Sequence, residues 1–179
     1  MPVDAEPPSR PLEILDYNPA WAAMFATEHA LLAEALGPAA LAIEHVGSTA
    51  VPRLAAKPII DIAVELYDLE YLPGVVPAVE ALGYLYRGDG LHAGRHFFRK
   101  PKESEAFDGR THNLHVYEPG HADFFEVVAF RDYLRTNPDR AAEYAALKRR
   151  LAAEGMQGMD YTDAKTTFIH RCLAAIYGV

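Results

Sequence analysis

Cysteine is almost missing from this sequence: Cys172 stands alone, so neither an intramolecular disulfide nor a Cys-x-x-Cys zinc site can form. A reducing cytoplasm is the compartment this suggests. Long apolar runs are also lacking. No stretch approaches the ~20 residues of a membrane-spanning helix. Met1 to Pro11 is broken by prolines and has no apolar run, so no signal peptide and no membrane association are expected. Basic residues are scarce early in the chain. Arg10, Arg53 and Lys57 are the only ones before residue 87, against twelve acidic side chains. The net charge of −8 argues against electrostatic coating of nucleic acid, which is not an expected partner, although the sequence does not rule it out. Positive charge gathers later, at Arg87–Arg110 and Arg131–Arg150, and permits a local anion site on an acidic protein.

What is present is an ordinary globular balance, with half the residues hydrophobic, 11% aromatic and 23% charged. The 179 residues suit one domain, flexible over 1–11 and mainly helical over 122–179. Asn18-Pro19 reads as a helix start, and Trp21, Met24, Phe25, Leu32 and Leu36 follow at helical spacing. Gly37-Pro38 ends that helix. Strands are predicted at Leu41–Val46, Ile59–Leu66, Tyr84–Arg87, His96–Lys100 and Asn113–Tyr117, with a helix over Leu72–Leu82. Gly88-Asp89-Gly90 supplies a turn and Pro101–Thr111 a polar loop. Helices follow over Ala122–Arg135, Ala141–Ala153 and Asp160–Tyr177, divided by Asn137-Pro138 and by a hinge at Gly155–Gly158. The order predicts an α+β, or mixed α/β, fold: a small mixed sheet flanked by helices, with a helical C-terminal part.

The chemistry concentrates in Ile43–Thr49 and Lys57–Val64. A strand ends in Gly47-Ser48, and Asp61 then sits in an otherwise apolar strand. Glycine lets backbone approach a ligand closely, while Ser48, Thr49 and nearby amides can donate to phosphate oxygens. Burying a carboxylate among Ile59, Ile60, Ile62 and Val64 is costly unless it is paired or binds a cation. The structural alternative pairs Asp61 with Lys57 or an arginine. Strand alternation puts Asp61, Ala63 and Glu65 on one face.

His45–Pro52 and Leu54–Asp61 closely resemble the GrpB family, as do Gly94–Lys100, Arg110–Val116, Phe130–Arg135 and Tyr161–Ile169. The resemblance runs from about Leu12 to the end. Relatives of this family occur alone or fused behind a dephospho-coenzyme A kinase. The family is similar to nucleotidyltransferases with a polymerase-β-like fold, which implies magnesium, a nucleoside triphosphate and transfer of a nucleotidyl group. On that resemblance Asp61 is the metal ligand, with Glu65 and His115 as further candidates. Asp61, His115 and Lys165 are the catalytic candidates. The superfamily usually places two carboxylates two residues apart, and here Ala63 occupies the second place. A binding module that assists a partner enzyme such as dephospho-coenzyme A kinase is therefore the competing expectation.

The remaining candidates come from charge and spacing. Gly47, Ser48, Thr49, Lys57, Arg95, Lys100, Arg131 and Tyr161 are expected to hold phosphate or nucleotide. Arg95, Phe97 and Arg99 alternate with His96, Phe98 and Lys100, so one set must face solvent or ligand. Asn113 and His115 share a strand face and can line a cleft. Lys165 stands one turn after Tyr161, beside the stripe of Phe168, Ile169, Leu173 and Ile176. His45 is expected to steady the Gly-Ser turn. Phe124, Phe125, Val127, Val128 and Phe130 read as core rather than as a base-stacking platform.

Overall fold

A computed structural model describes residues 13–89, 93–101, 109–156 and 158–179. The expected flexible segment 1–11, Gly90 of the turn and most of the 101–111 loop lie outside them. The first helix, α1 (Ala20–Leu36), starts where Asn18 Oδ1 accepts a hydrogen bond from the Ala20 N–H. Two strands follow, β1 (Ala40–Val46) and β2 (Ile60–Leu66), then helix α2 (Leu72–Ala81). Strands β3 (Leu85–Tyr86), β4 (Arg95–Lys100) and β5 (His112–Tyr117) complete the sheet. Helices α3 (Ala122–Thr136), α4 (Pro138–Ala153) and α5 (Gly158–Tyr177) end the chain. The mixed α+β architecture is as expected. Boundaries differ by one or two residues at several elements and by three at α4, which begins at Pro138 rather than Ala141 because a first-turn proline needs no N–H partner.

Among the described residues the sheet runs β1-β2-β5-β4-β3, with β2 and β5 parallel and the other neighbours antiparallel. Register assigns every strand residue to a face. Asp61 pairs with Val46 and Asn113, Ala63 with Glu44 and His115, and Glu65 with Ala42 and Tyr117. Phe97 opposite His115 brings Arg95 and Arg99 to the same face. The other face carries Ile60, Ile62, Val64, Leu66, Leu114, Val116 and Phe98, and packs against Trp21, Leu32 and Leu36 of α1 and Val75 and Val79 of α2. Burying several such side chains contributes about 1.5–3 kcal/mol each. The Asp61 face is thinner in apolar contacts. Phe124, Val127 and Val128 of α3 cover Val46, Ala63 and Tyr117, while Phe168 and Cys172 of α5 meet Tyr144 of α4 and Leu134 of α3 in a separate cluster. Space is left between the sheet and the helices on this face.

Candidate functional site

The Gly-Ser turn is built against Asp61. Gly47 adopts φ +71°, and a Cβ there would come within 2.5 Å of Asp61 Oδ2. A side chain is excluded twice, by conformation and by space. Asn113 donates to Asp61 Oδ1 at 2.8 Å, and Arg110 donates to Asn113 Oδ1 at 3.1 Å. Burial raises the Asp61 carboxyl above the ordinary range, and the Asn113 hydrogen bond, Lys165, Arg110 and Lys57 pull it partly back.

Ser48, Thr49, Lys57, Asp61, Lys148 and Lys165 line one cavity of about 210 Å3, with Asn113 and Tyr161 also in its wall. Lys148, 2% exposed, donates to Ser48 Oγ at 2.7 Å and to the Ala55 carbonyl. Lys57 and Lys165 both stand over the Tyr161 ring, 4.4 and 4.3 Å from its centroid, in cation–π contact. Crowding and burial weaken their hold on protons. Lys148 is lowered to about 7, by burial first and then by Lys165. Lys165 falls to about 8, by burial and then by Lys57. Among the described residues lining this cavity, Asp61 is the lone carboxylate. Three lysines therefore face one acid inside a protein of net charge −8. An anion is what such a cavity attracts.

The loop is fixed from behind. His45 Nε2 lies 3.0 Å from Thr49 Oγ1, as expected of a residue steadying the turn. Burial, then Arg135 and Arg131, lower that imidazole to about 4, so it is neutral near pH 7. Arg131 donates to the His45 carbonyl at 2.9 Å and is paired with Glu44 and Asp132. Arg135 donates twice to the Ala50 carbonyl, at 2.9 and 3.0 Å. Carbonyls on either side of Gly47-Ser48 are thus held by arginines from α3.

Several expected residues go elsewhere. Arg131 does not line the cavity, because Glu44, Asp132 and the His45 carbonyl take its guanidinium. Lys100 points to the α1 face, where its Nζ lies 2.9 Å from Glu28 Oε1; strand alternation separates it from Arg95. Glu65 shares the Asp61 face but accepts from the Gly120 N–H at 2.9 Å, which commits it to the turn before α3. Arg95 and His115 lie on the Asp61 face and border a second cavity of about 250 Å3 that also touches Asp61. His115 stacks on Phe97 with ring centroids 5.1 Å apart. Val127 and Phe130, expected as core, line this second cavity as well.

Lys148 is the residue that the sequence reading passes over. It falls inside the basic stretch Arg131–Arg150 with nothing in the charge to single it out, yet Tyr144, Lys148 and Leu151 are the buried residues of α4. A lysine at the 4-then-3 spacing of an apolar stripe is the signal. It is the same signal that marked Lys165.

Among the described residues no three His, Cys, Asp or Glu side chains cluster in a way that could hold a metal ion. No helix among them is long and apolar enough to cross a membrane. Residues 11–175 match the GrpB protein family. The UPF0157 protein YqkA of Bacillus subtilis is 42% identical over 147 residues, covering 82% of this chain and 41% of that protein. The crystal structure of the conserved protein GrpB from Enterococcus faecalis is similar with a TM-score of 0.81 at 35% identity, covering 92% of this chain and 96% of that one. A dephospho-CoA kinase of Mycolicibacterium paratuberculosis is 28% identical over 159 residues, 78% of this chain and 39% of the kinase. This chain spans less than half the length of YqkA and of that kinase. Matched over almost all of its length, the chain belongs to the GrpB family.

Proposed function

We propose that the chain binds a nucleoside triphosphate, phosphates among Lys57, Lys148 and Lys165, and transfers its nucleotidyl group to a small acceptor. The observation that carries this is the convergence of Ser48, Lys57, Lys148 and Lys165 with Asp61 in one cavity, with Gly47 packed on the Asp61 carboxylate from the adjoining cavity. Backbone close to a ligand, a donor hydroxyl and converging cations are what phosphate oxygens require. Phosphoryl-group chemistry asks mainly for positioning and charge stabilisation, which lysines around one carboxylate supply. A magnesium ion fits such a donor set once. Asp61 supplies one carboxylate, and phosphate oxygens and water supply the rest. When bound it would neutralise charge on the phosphates. Ala63 leaves nothing to hold a second ion.

Calorimetric titration of ATP into wild type and Asp61→Asn, with and without magnesium, tests the reading. ATP should bind wild type more tightly with magnesium, and Asp61→Asn should remove that coupling while leaving the fold intact. Absence of ATP binding in all four conditions overturns the proposal. A second reading, a nucleotide-binding module that assists an enzyme such as dephospho-coenzyme A kinase, is favoured by Ala63 and by Glu65 being held at Gly120. ATP binding with no pyrophosphate release in the presence of acceptors would select it.

A further inference from the structure

The two cavities stand in series along one axis, with Asp61 between them. Lys57 and Ile59, before β2, border the lysine cavity. His115 and Tyr117, whose register partners are Ala63 and Glu65 further along β2, border the second. Helix α5 repeats the order: Tyr161 and Lys165 line the first cavity, and Ile169 and Leu173, two turns on, line the second.

Their walls differ in kind. The second cavity is faced by Val46, Val127, Phe130, Tyr144, Ile169 and Leu173, and lysine is absent from its described lining. Its polar side chains are Asp61, Arg95 and His115 on the sheet, Glu126 on α3, and the tyrosines Tyr117 and Tyr144. At about 250 Å3 it exceeds the ~150 Å3 of a cavity that admits benzene. One ring with substituents fills such a space. A triphosphate does not suit it, since the apolar wall offers those oxygens little.

Geometry then fixes the roles. In nucleotidyl transfer the attacking and leaving oxygens lie roughly in line across the phosphorus. With the leaving pyrophosphate among the lysines and the α-phosphate at Asp61, the attacking oxygen must arrive from the far side. That side is the apolar cavity. We propose that this cavity is the acceptor subsite, and that its ligand is a small neutral molecule of about one ring, apolar over most of its surface, with one hydroxyl presented between Asp61 and His115. This rests on the nucleotidyl-transfer reading. The acceptor oxygen bonds to the α-phosphorus, and the bond from that phosphorus to the bridging oxygen breaks. Pyrophosphate leaves with the electron pair, and the hydroxyl proton passes to the His115 imidazole.

Methyl-detected NMR of Val127, Ile169 and Leu173 during titration with benzyl alcohol tests the subsite, with toluene as the same shape lacking the hydroxyl. ATP is titrated in parallel. Benzyl alcohol should shift these methyls saturably and bind about 5-fold more tightly than toluene, the worth of one hydrogen bond. Val127→Phe, which fills the cavity, should abolish the alcohol's binding and leave ATP affinity unchanged. Leu173→Phe serves as the second filling variant if circular dichroism shows Val127→Phe to be unfolded. ATP binding together with no methyl shifts from benzyl alcohol, or equal binding of toluene and benzyl alcohol, overturns the acceptor subsite alone. Failure of ATP to bind overturns the nucleotide reading instead, and the transfer role of this cavity with it.

Discussion

On the α1 face of the sheet, Lys100 Nζ lies 2.9 and 3.0 Å from the two oxygens of Glu28, with His112 4.0 Å from the same carboxylate. On the opposite face, Lys57, Lys148 and Lys165 share a cavity with Asp61. Both regions take lysine out of water, and they resolve the cost differently. Lys100 meets a carboxylate that is itself buried, and the pair joins strand to helix. Lys148 is steadied by neutral partners, a serine hydroxyl and a carbonyl. Lys165 and Lys57 share an aromatic ring. Pairing removes charge and serves the fold, whereas convergence leaves charge for a ligand to neutralise.

The largest expected effect lies on the paired face. Glu28→Gln strands the Lys100 ammonium and should cost about 3 kcal/mol of stability, the lower end for a broken buried pair, because Lys100 keeps 22% of its side chain exposed. Urea denaturation measures it, and ATP affinity should not change. The converging face should respond the other way. Lys165→Met keeps the stem, removes a buried charge, and should leave stability equal or slightly raised. ATP affinity should fall about 10- to 100-fold, the worth of a charged hydrogen bond. If Lys165→Met unfolds as easily as Glu28→Gln, the contrast between the faces is gone, and the lysines are structural.

Much of the fold behind this contrast was legible in the sequence. Periods of two and of 3.6 place β1, β2 and the five helices, since Ile60, Ile62, Val64 and Leu66 can only be a buried row and Gly37 or Gly83 can only end a helix. The pairing of Gly47-Ser48 with Asp61 was also readable, because a lone acid in an apolar strand needs a reason. Lys100 shows what charge alone misses. Arg95 and Lys100 are five residues apart on one strand, so a period of two forbids both from reaching one cavity. Arg131 shows a second limit. Arg131 was expected to hold phosphate, but it and Arg135 find backbone carbonyls that exist only once α3 has packed behind the β1 loop. Such partners are absent from any local pattern. His115 was readable as a cleft residue, but the apolar wall of the second cavity was not, since Val127 and Phe130 look like core until the packing leaves room beside them.

The smallest expected effect is in protons, and it sharpens the comparison most directly. Lys148 is lowered to about 7 and Lys165 to about 8, from an ordinary 10.5. Between those values and 10.5 the unfolded chain binds protons that the folded chain has released. Their contribution to the stability of the ligand-free protein therefore rises with pH across this window. Triphosphate binding has the opposite dependence. It needs both lysines charged, so affinity should weaken as pH climbs through about 7 to 9. Binding at pH 8 should draw protons from solution, because phosphate oxygens raise the affinity of both lysines for them. Calorimetry in two buffers of unequal ionisation enthalpy reads that uptake. Lys165→Met should reduce it and Glu28→Gln should leave it alone, since only the converging face carries lysines that a ligand recharges. Equal uptake in all three proteins would mean that Lys165 is not the group a ligand recharges.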